Sequence, residues 1–180
     1  MPVSTQTYRV LIGSPSDVSE ERDIAEAVVH HWNEQHAIVQ GITLLPVRWE
    51  KYVHPETGVR PQDAINRQIV QDCDILVALF WTRLGKDTGV AASGTVEEID
   101  QFVDAGKHAM LYFSNRPIDP NKIDTDQHQK LKDFKKKTYD TALVGKFDSL
   151  EEFRTILLRD LTKLIHRIKA STKPSQDQSA

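Results

Sequence analysis

The sequence predicts an α/β domain built on a five-stranded, doubly wound parallel sheet. Three observations carry that expectation. Five short apolar runs alternate along the chain with amphipathic stretches at helical spacing. The central run, Ile75-Leu76-Val77-Ala78-Leu79-Phe80, is apolar at every position, as in a strand covered on both faces. The length, 180 residues, suits one domain with a substantial core.

Taken in order, Tyr8 to Ile12 reads as a short buried strand. Gly13-Ser14-Pro15-Ser16-Asp17 forms a tight turn into a helix, with Asp17 and Glu20 spaced as a capping box. Val18, Ala25, Val28, Val29 and Trp32 mark the buried face of that helix, which is expected to end near residue 35. A helix start after a strand can hold phosphate. No GxGxxG is present and Asp17 would occupy the anion position, so plain capping is favoured, with the turn free to line a pocket.

Ile42 to Val47 is the second strand, and Trp49 to Arg60 a long polar loop. Pro61 opens the next helix, whose narrow apolar side is Ala64, Ile65, Gln68 and Ile69. After the third strand come a polar loop, Trp81 to Gly89, and a helix opened by Ser93-Gly94-Thr95 and closed by Gly106. Met110 to Phe113 is the fourth strand. A lysine-rich helix is expected over Asp126 to Lys137, reading as a solvated face, and a fifth strand within Thr141 to Phe147. Ser149 and Glu152 form a second capping box. Leu150, Phe153, Leu157, Leu161, Leu164, Ile165 and Ile168 then make the most sustained amphipathic stripe of the chain. Residues 1–170 are expected to form one domain and residues 171–180 a disordered polar tail. Right-handed crossovers give the flavodoxin-like strand order 2-1-3-4-5. The loops after the strands then bring Ser14, Trp49, Glu50, Trp81, Arg83 and Asn115 towards one rim.

Composition narrows the function classes. A net charge of −3 gives no basic field for nucleic acid. No apolar run is long enough for a membrane span, and nothing resembles a secretion signal, so a cytoplasmic protein is expected. Cys73 is the only cysteine, which excludes an intramolecular disulfide and fits a structural role. The seven histidines show no metal-ligand spacing, so no metal is expected.

One side chain stands out chemically. On the helix after Gly94, residues Val96, Ile99, Phe102 and Val103 share a face. Glu97 falls opposite it and should be solvated. Glu98 falls on the flank, roughly 110° from the stripe centre. A carboxylate there can line the crevice above the strand ends, where such folds bind ligands. It can equally be an acid favoured near a helix start by the dipole.

Three separated blocks resemble a known family. They are Val10-Leu11-Ile12-Gly13-Ser14-Pro15-Ser16-Asp17-Val18 with Glu20-Glu21-Arg22, Phe80-Trp81-Thr82-Arg83-Leu84-Gly85, and Ser93-Gly94-Thr95-Val96-Glu97-Glu98-Ile99. Together they resemble the TIR-like domains of bacterial defence proteins. Gly94, Thr95 and Glu98 are also similar, more distantly, to the Gly-Thr-x-x-Glu pattern of nucleoside deoxyribosyltransferases. Thr95-Val96 stands where typical TIR domains carry Trp-Cys.

The resemblance implies a TIR-like fold and cleavage of an N-glycosidic bond at a ribose, with Glu98 as the catalytic residue. NAD would be a substrate and not a cofactor. The nicotinamide of NAD leaves as a neutral base, so the chemical difficulty is the oxocarbenium-like charge on the sugar, which a carboxylate can stabilise. Gly13, Ser14, Trp49, Glu50, Trp81, Arg83, Thr95 and Asn115 are the expected substrate-binding residues. Trp49 or Trp81 would stack on a base, and Arg83 would meet a phosphate or else pair with Asp87 on the surface. The resemblance further implies assembly into a homo-oligomer or filament on activation, the Trp49 to Arg60 loop of a neighbour completing the pocket. A sensor or effector protein would act as partner. The expected function is an NAD+ nucleosidase, a glycohydrolase or cyclase, in antiviral defence or signalling. The alternatives are a nucleoside or nucleotide N-glycosidase or deoxyribosyltransferase with Glu98 as nucleophile, and a non-catalytic module for homotypic interaction.

Overall fold

The computed structural model describes residues 2–172. Its sheet has five parallel strands: β1 (Gln6–Gly13), β2 (Ile42–Val47), β3 (Ile75–Phe80), β4 (His108–Ser114) and β5 (Gly145–Phe147). Their order is β2-β1-β3-β4-β5, the flavodoxin-like arrangement expected from the sequence. Every residue of β3 is buried, because this strand lies in the middle of the sheet with helices over both faces. Pro46 is tolerated in β2 because β2 is an edge strand and needs fewer backbone donors.

The helices divide between the two faces. On one, α1 (Ser19–Gln40) and α6 (Leu150–Thr172) enclose a core of Trp32, Phe147, Phe153, Leu157, Leu161 and Ile165. Trp32 is fully buried and its Nε1–H donates to Thr162 Oγ1 at 3.1 Å, tying α1 to α6. On the other face lie α3 (Pro61–Ile65), a π-helical turn (Asn66–Val70), α4 (Gly94–Asp104) and α5 (Thr125–Thr141). They cover a second core of Leu76, Ala78, Phe80, Ile99, Phe102 and Phe113. Buried Cys73 belongs to that core, and burial pushes its thiol up to about 12.

Several expected boundaries move. Helix α1 runs to Gln40, beyond the expected end near residue 35, and Gly41 caps it in the left-handed conformation. Part of the expected Trp49 to Arg60 loop is a short helix, α2 (Trp49–Tyr52). Thr141, expected to start a strand, ends α5, and β5 is only three residues long. Lys135 does not fit the picture of a fully solvated lysine face: it is half-buried, with Nζ 5.0 Å from the Phe113 ring centre. The expected polar tail begins as helix, since α6 continues through Ser171 and Thr172, and residues 173–180 lie outside those described. Among the described residues, no helix is long and apolar enough to cross a membrane.

Candidate functional site

A cleft of about 600 Å³ opens at the carboxyl ends of β1 and β3, a volume in the ordinary range for a small-molecule site. Its walls come from the β1–α1 turn (Ser14 to Ser16), Trp49, the start of α3, the loop after β3, the start of α4, and α5. Glu98 lines it.

Local structure fixes Glu98 firmly. Ser93 caps α4 by accepting from the Val96 N–H at 3.2 Å, so Glu98 falls in the first turns of the helix. The side chain is only 6% exposed, and its Oε2 is buried without a hydrogen-bond partner. Glycine makes room for it. A methyl group on Gly13 would overlap Glu98 Oε2 and approach Leu76 Cδ1 to 3.2 Å. Gly94 does the same for Gln62, whose Oε1 occupies the space a side chain would need. The glycines of the first and third sequence blocks therefore serve one purpose, letting two polar side chains lie against backbone.

Burial pushes the Glu98 carboxyl up to about 7. Gln62 opposes that rise, while the charges of Glu97 and Glu50 add to it. Unlike Glu97, Glu98 has no basic side chain against it.

The neighbouring Glu97 has the opposite surroundings. It was expected in solvent but is 5% exposed. Arg60 donates to both carboxylate oxygens, at 2.8 and 3.0 Å. Asn66 Nδ2 donates to Oε1 at 2.7 Å, and Thr88 Oγ1 to Oε2 at 2.6 Å. The Arg60 hydrogen bonds lead in holding its carboxyl below the usual range. The apolar stripe of one helix marks the side facing the sheet but carries no sign of a second cover. The segment carrying Arg60 and Asn66, with the Thr88 loop, packs over the helix's other side. Asn66 reaches Glu97 from a π-helical turn, a distortion that often marks functional regions.

Asp17 also departs from expectation. The N-cap of α1 is Val18, with no side-chain bond. Asp17 Oδ2 instead accepts from both the N–H and the O–H of Thr82, each at 2.8 Å. The spacing to Glu20 matched a capping box, but the loop after β3 offers two donors at once.

The family match covers residues 9–162 and is to a domain of unknown function, DUF4062. The chain belongs to that family. No curated protein matches it. Among solved structures, rubredoxin:oxygen oxidoreductase from Desulfovibrio gigas is 11% identical with a TM-score of 0.46. That likeness covers 94% of this chain and 38% of the other. The flavodiiron protein from Giardia intestinalis is 12% identical with a TM-score of 0.44, over 96% and 39%. An azoreductase from Bacillus anthracis is 11% identical with a TM-score of 0.38, over 89% and 99%. The chain thus spans about two-fifths of the first two proteins. Likeness at this level concerns the backbone fold alone.

Of the residues expected to bind substrate in this DUF4062 domain, Ser14, Trp49, Arg83 and Thr95 line the cleft with Glu98, and Gly13 seats the carboxylate. Three do not line it. Glu50 turns to Arg22 and Arg48 in an ion-pair cluster over α1. Trp81 packs against the α1/α6 core, donates its Nε1–H to the Arg116 carbonyl at 3.1 Å, and lies under the Arg116 guanidinium. Asn115 donates to Asp148 at 3.2 Å beyond the end of β4. Their apolar or paired surroundings hold them elsewhere on the rim. Arg83 makes no pair with Asp87 or any other acid among the described residues. Sequence reasoning gave no site role to Gln62, Lys86 or Gln127, which also line the cleft. Lys86 sits in the Trp81 to Gly89 loop already singled out. Gln62 and Gln127 face the cleft only because of tertiary packing. Among the described residues, no group of three or more His, Cys, Asp and Glu is placed to hold a metal ion.

Proposed function

We propose that this chain is an NAD+ nucleosidase, a TIR-like enzyme of bacterial defence or signalling that releases nicotinamide from NAD. One observation carries the reading: a buried carboxylate with an unpartnered oxygen at a nucleotide-sized cleft over the strand ends. Burying such a group without a cation costs stability, and strongly perturbed acids in clefts gather at functional sites. NAD carries the missing cation on its nicotinamide ring. As the glycosidic bond breaks, that charge moves to the sugar beside Glu98, in surroundings of low polarity where the attraction is strong. Trp49 at the rim offers a face for a base, and Ser14 a hydroxyl for the ribose. In this scheme the substrate's charge also favours the ionised form of Glu98, whose resting carboxyl lies near about 7.

The Gly94-Thr95-x-x-Glu98 spacing favours a second reading, a nucleoside deoxyribosyltransferase in which Glu98 attacks the anomeric carbon. The test incubates concentrated protein with NAD and follows nicotinamide, with Glu98→Gln as control. The expected result is release that the variant abolishes. In the free enzyme kcat/KM should rise about tenfold per pH unit below pH 7 and level off above it, as Glu98 ionises. Turnover of deoxynucleosides but not NAD selects the second reading. No turnover with any nucleotide, together with concentration-dependent self-association, selects a homotypic interaction module.

A further inference from the structure

The loop after β3 is held unusually well for a connecting segment. Thr82 and Leu84 are both buried, at 8% and 2% exposure, on either side of Arg83. The Thr82 N–H and O–H both donate to Asp17. The Thr82 carbonyl oxygen lies 3.3 Å from His128 Nδ1 of α5, in reach of an N–H there. The Gly85 N–H donates to Gln127 Oε1 at 3.0 Å. Gly85 itself has φ +107°, and a methyl on it would press Ser93 Cβ at 3.0 Å. The β1–α1 turn, α5 and the cap of α4 thus hold one short loop from three sides.

Arg83 sits between those anchors and Lys86 directly follows the last of them; both line the cleft and make no ion pair. For an arginine that is unusual in this molecule. Arg9, Arg22, Arg48, Arg60, Arg67, Arg116, Arg154 and Arg159 all have acidic partners. Of the described arginines only Arg83 and Arg167 have none, and Arg167 lies on the exposed side of α6. Two acids share this end of the cleft, but each has turned to backbone. Asp87 accepts from the Gly89 N–H at 2.7 Å and Asp124 from the Gln127 N–H at 3.1 Å. A rigid loop presenting one free guanidinium and one free ammonium towards a cleft suits a phosphate, which a guanidinium grips through two parallel N–H bonds.

We propose that Arg83 and Lys86 form a preorganised phosphate seat, so the cleft takes phosphorylated nucleosides and discriminates against free ones. Asp17 is its positioning residue, acting through Thr82 and touching no ligand. The inference deepens the nucleosidase reading, since it names the substrate class of the same cleft, but it concerns binding and not turnover.

The experiment measures ADP and adenosine binding to the full chain by calorimetry. ADP should bind at least about tenfold tighter than adenosine, the order expected for hydrogen bonds to a charged group. Arg83→Ala should remove most of that preference while leaving adenosine affinity within about twofold, Arg83→Lys should restore it only in part, and Arg83→Ala with Lys86→Ala should remove what remains. Raising the salt should weaken ADP binding and spare adenosine. Asp17→Ala should weaken ADP alone. If that variant does not fold, Thr82→Val removes one of the two bonds and should give a smaller loss of the same kind. Equal affinity for ADP and adenosine, binding of neither, or an ADP preference indifferent to Arg83→Ala would overturn the proposal. Two mixed results separate it from the nucleosidase reading. Nicotinamide release with a KM unchanged in Arg83→Ala overturns the phosphate seat alone. An Arg83-dependent ADP preference in a chain that releases no nicotinamide overturns the nucleosidase alone.

Discussion

Replacing Glu98 by glutamine keeps the side chain's shape and removes its charge, so its effect on stability should change sign with pH. In the folded chain burial holds the Glu98 carboxyl near about 7, against 4.5 for an unperturbed glutamate. Below 4.5 both states are protonated and the group is neutral towards folding. Between 4.5 and about 7 the folded chain keeps a proton that the unfolded chain has lost, so stability falls as pH rises. Above about 7 the penalty is complete. The gap of about 2.5 pH units corresponds to about 3 kcal/mol. Glutamine escapes that penalty but brings an amide to a spot where Oε2 has no partner, at a cost of about 1 kcal/mol.

The variant should therefore be less stable than the parent by about 1 kcal/mol at pH 4.5 and more stable by about 2 kcal/mol at pH 8. Urea unfolding of both proteins across that range measures the difference directly. Glu21, another buried acid raised by burial, titrates in both proteins and cancels. A difference between the two that does not change with pH would refute the reasoning, because Glu98 would then not titrate as a buried, unpaired acid. A variant that gains stability while losing turnover would show the trade expected of a functional residue placed where folding disfavours it.

Other expectations follow from the same contacts. Gly13→Ala should displace the Glu98 carboxylate and destabilise the chain by about 1–3 kcal/mol through overpacking, seen as a lower urea midpoint and lost nicotinamide release. Asn66→Ala removes a 2.7 Å donor from buried Glu97 and should cost about 1–3 kcal/mol in the same unfolding assay. Leu157→Ala, in the fully buried contact between α6 and the sheet, should cost about 2–5 kcal/mol while leaving ADP and adenosine affinities unchanged.

How far the sequence foretold this molecule depended on where the deciding contact lies. Strands β2 and β3 fall on the predicted residues, because a buried strand states its own environment in its apolar run. Helix α1 outran its predicted end because Ile38 and Val39, at 76% and 81% exposure, carry no amphipathic signal, while the stop itself is the left-handed Gly41. The second capping box held in its Ser149 half, with Ser149 Oγ accepting from the Glu152 N–H while the Glu152 carboxylate takes the Asp148 N–H, whereas the first did not, because Thr82 drew Asp17 across 65 residues. Trp81 and Asn115 sit on the expected loops, but packing and pairing outside the cleft hold them, which no local pattern specifies.

Glu97 and Glu98 carry the argument furthest, since they differ by one step along a helix and by almost everything else. Glu97 meets an arginine and two neutral donors and is held ionised as a clamp between α4, the π-helical turn and the Thr88 loop. Glu98 meets one neutral donor, Gln62, the bare backbone of Gly13 and the cleft, with its proton held near neutral pH. The two adjacent carboxylates are thus pushed in opposite directions, a pattern by which acid–base roles are read in known enzymes. The clamp also shapes the surroundings of Glu98. Arg60 and Asn66 are spent on Glu97, so neither neutralises Glu98, and Gln62 between them offers Glu98 only an uncharged partner. Breaking the clamp with Asn66→Ala should thus bring water to Glu98 and lower its titration midpoint, which the pH profile of the unfolding difference would register as a shift towards 4.5.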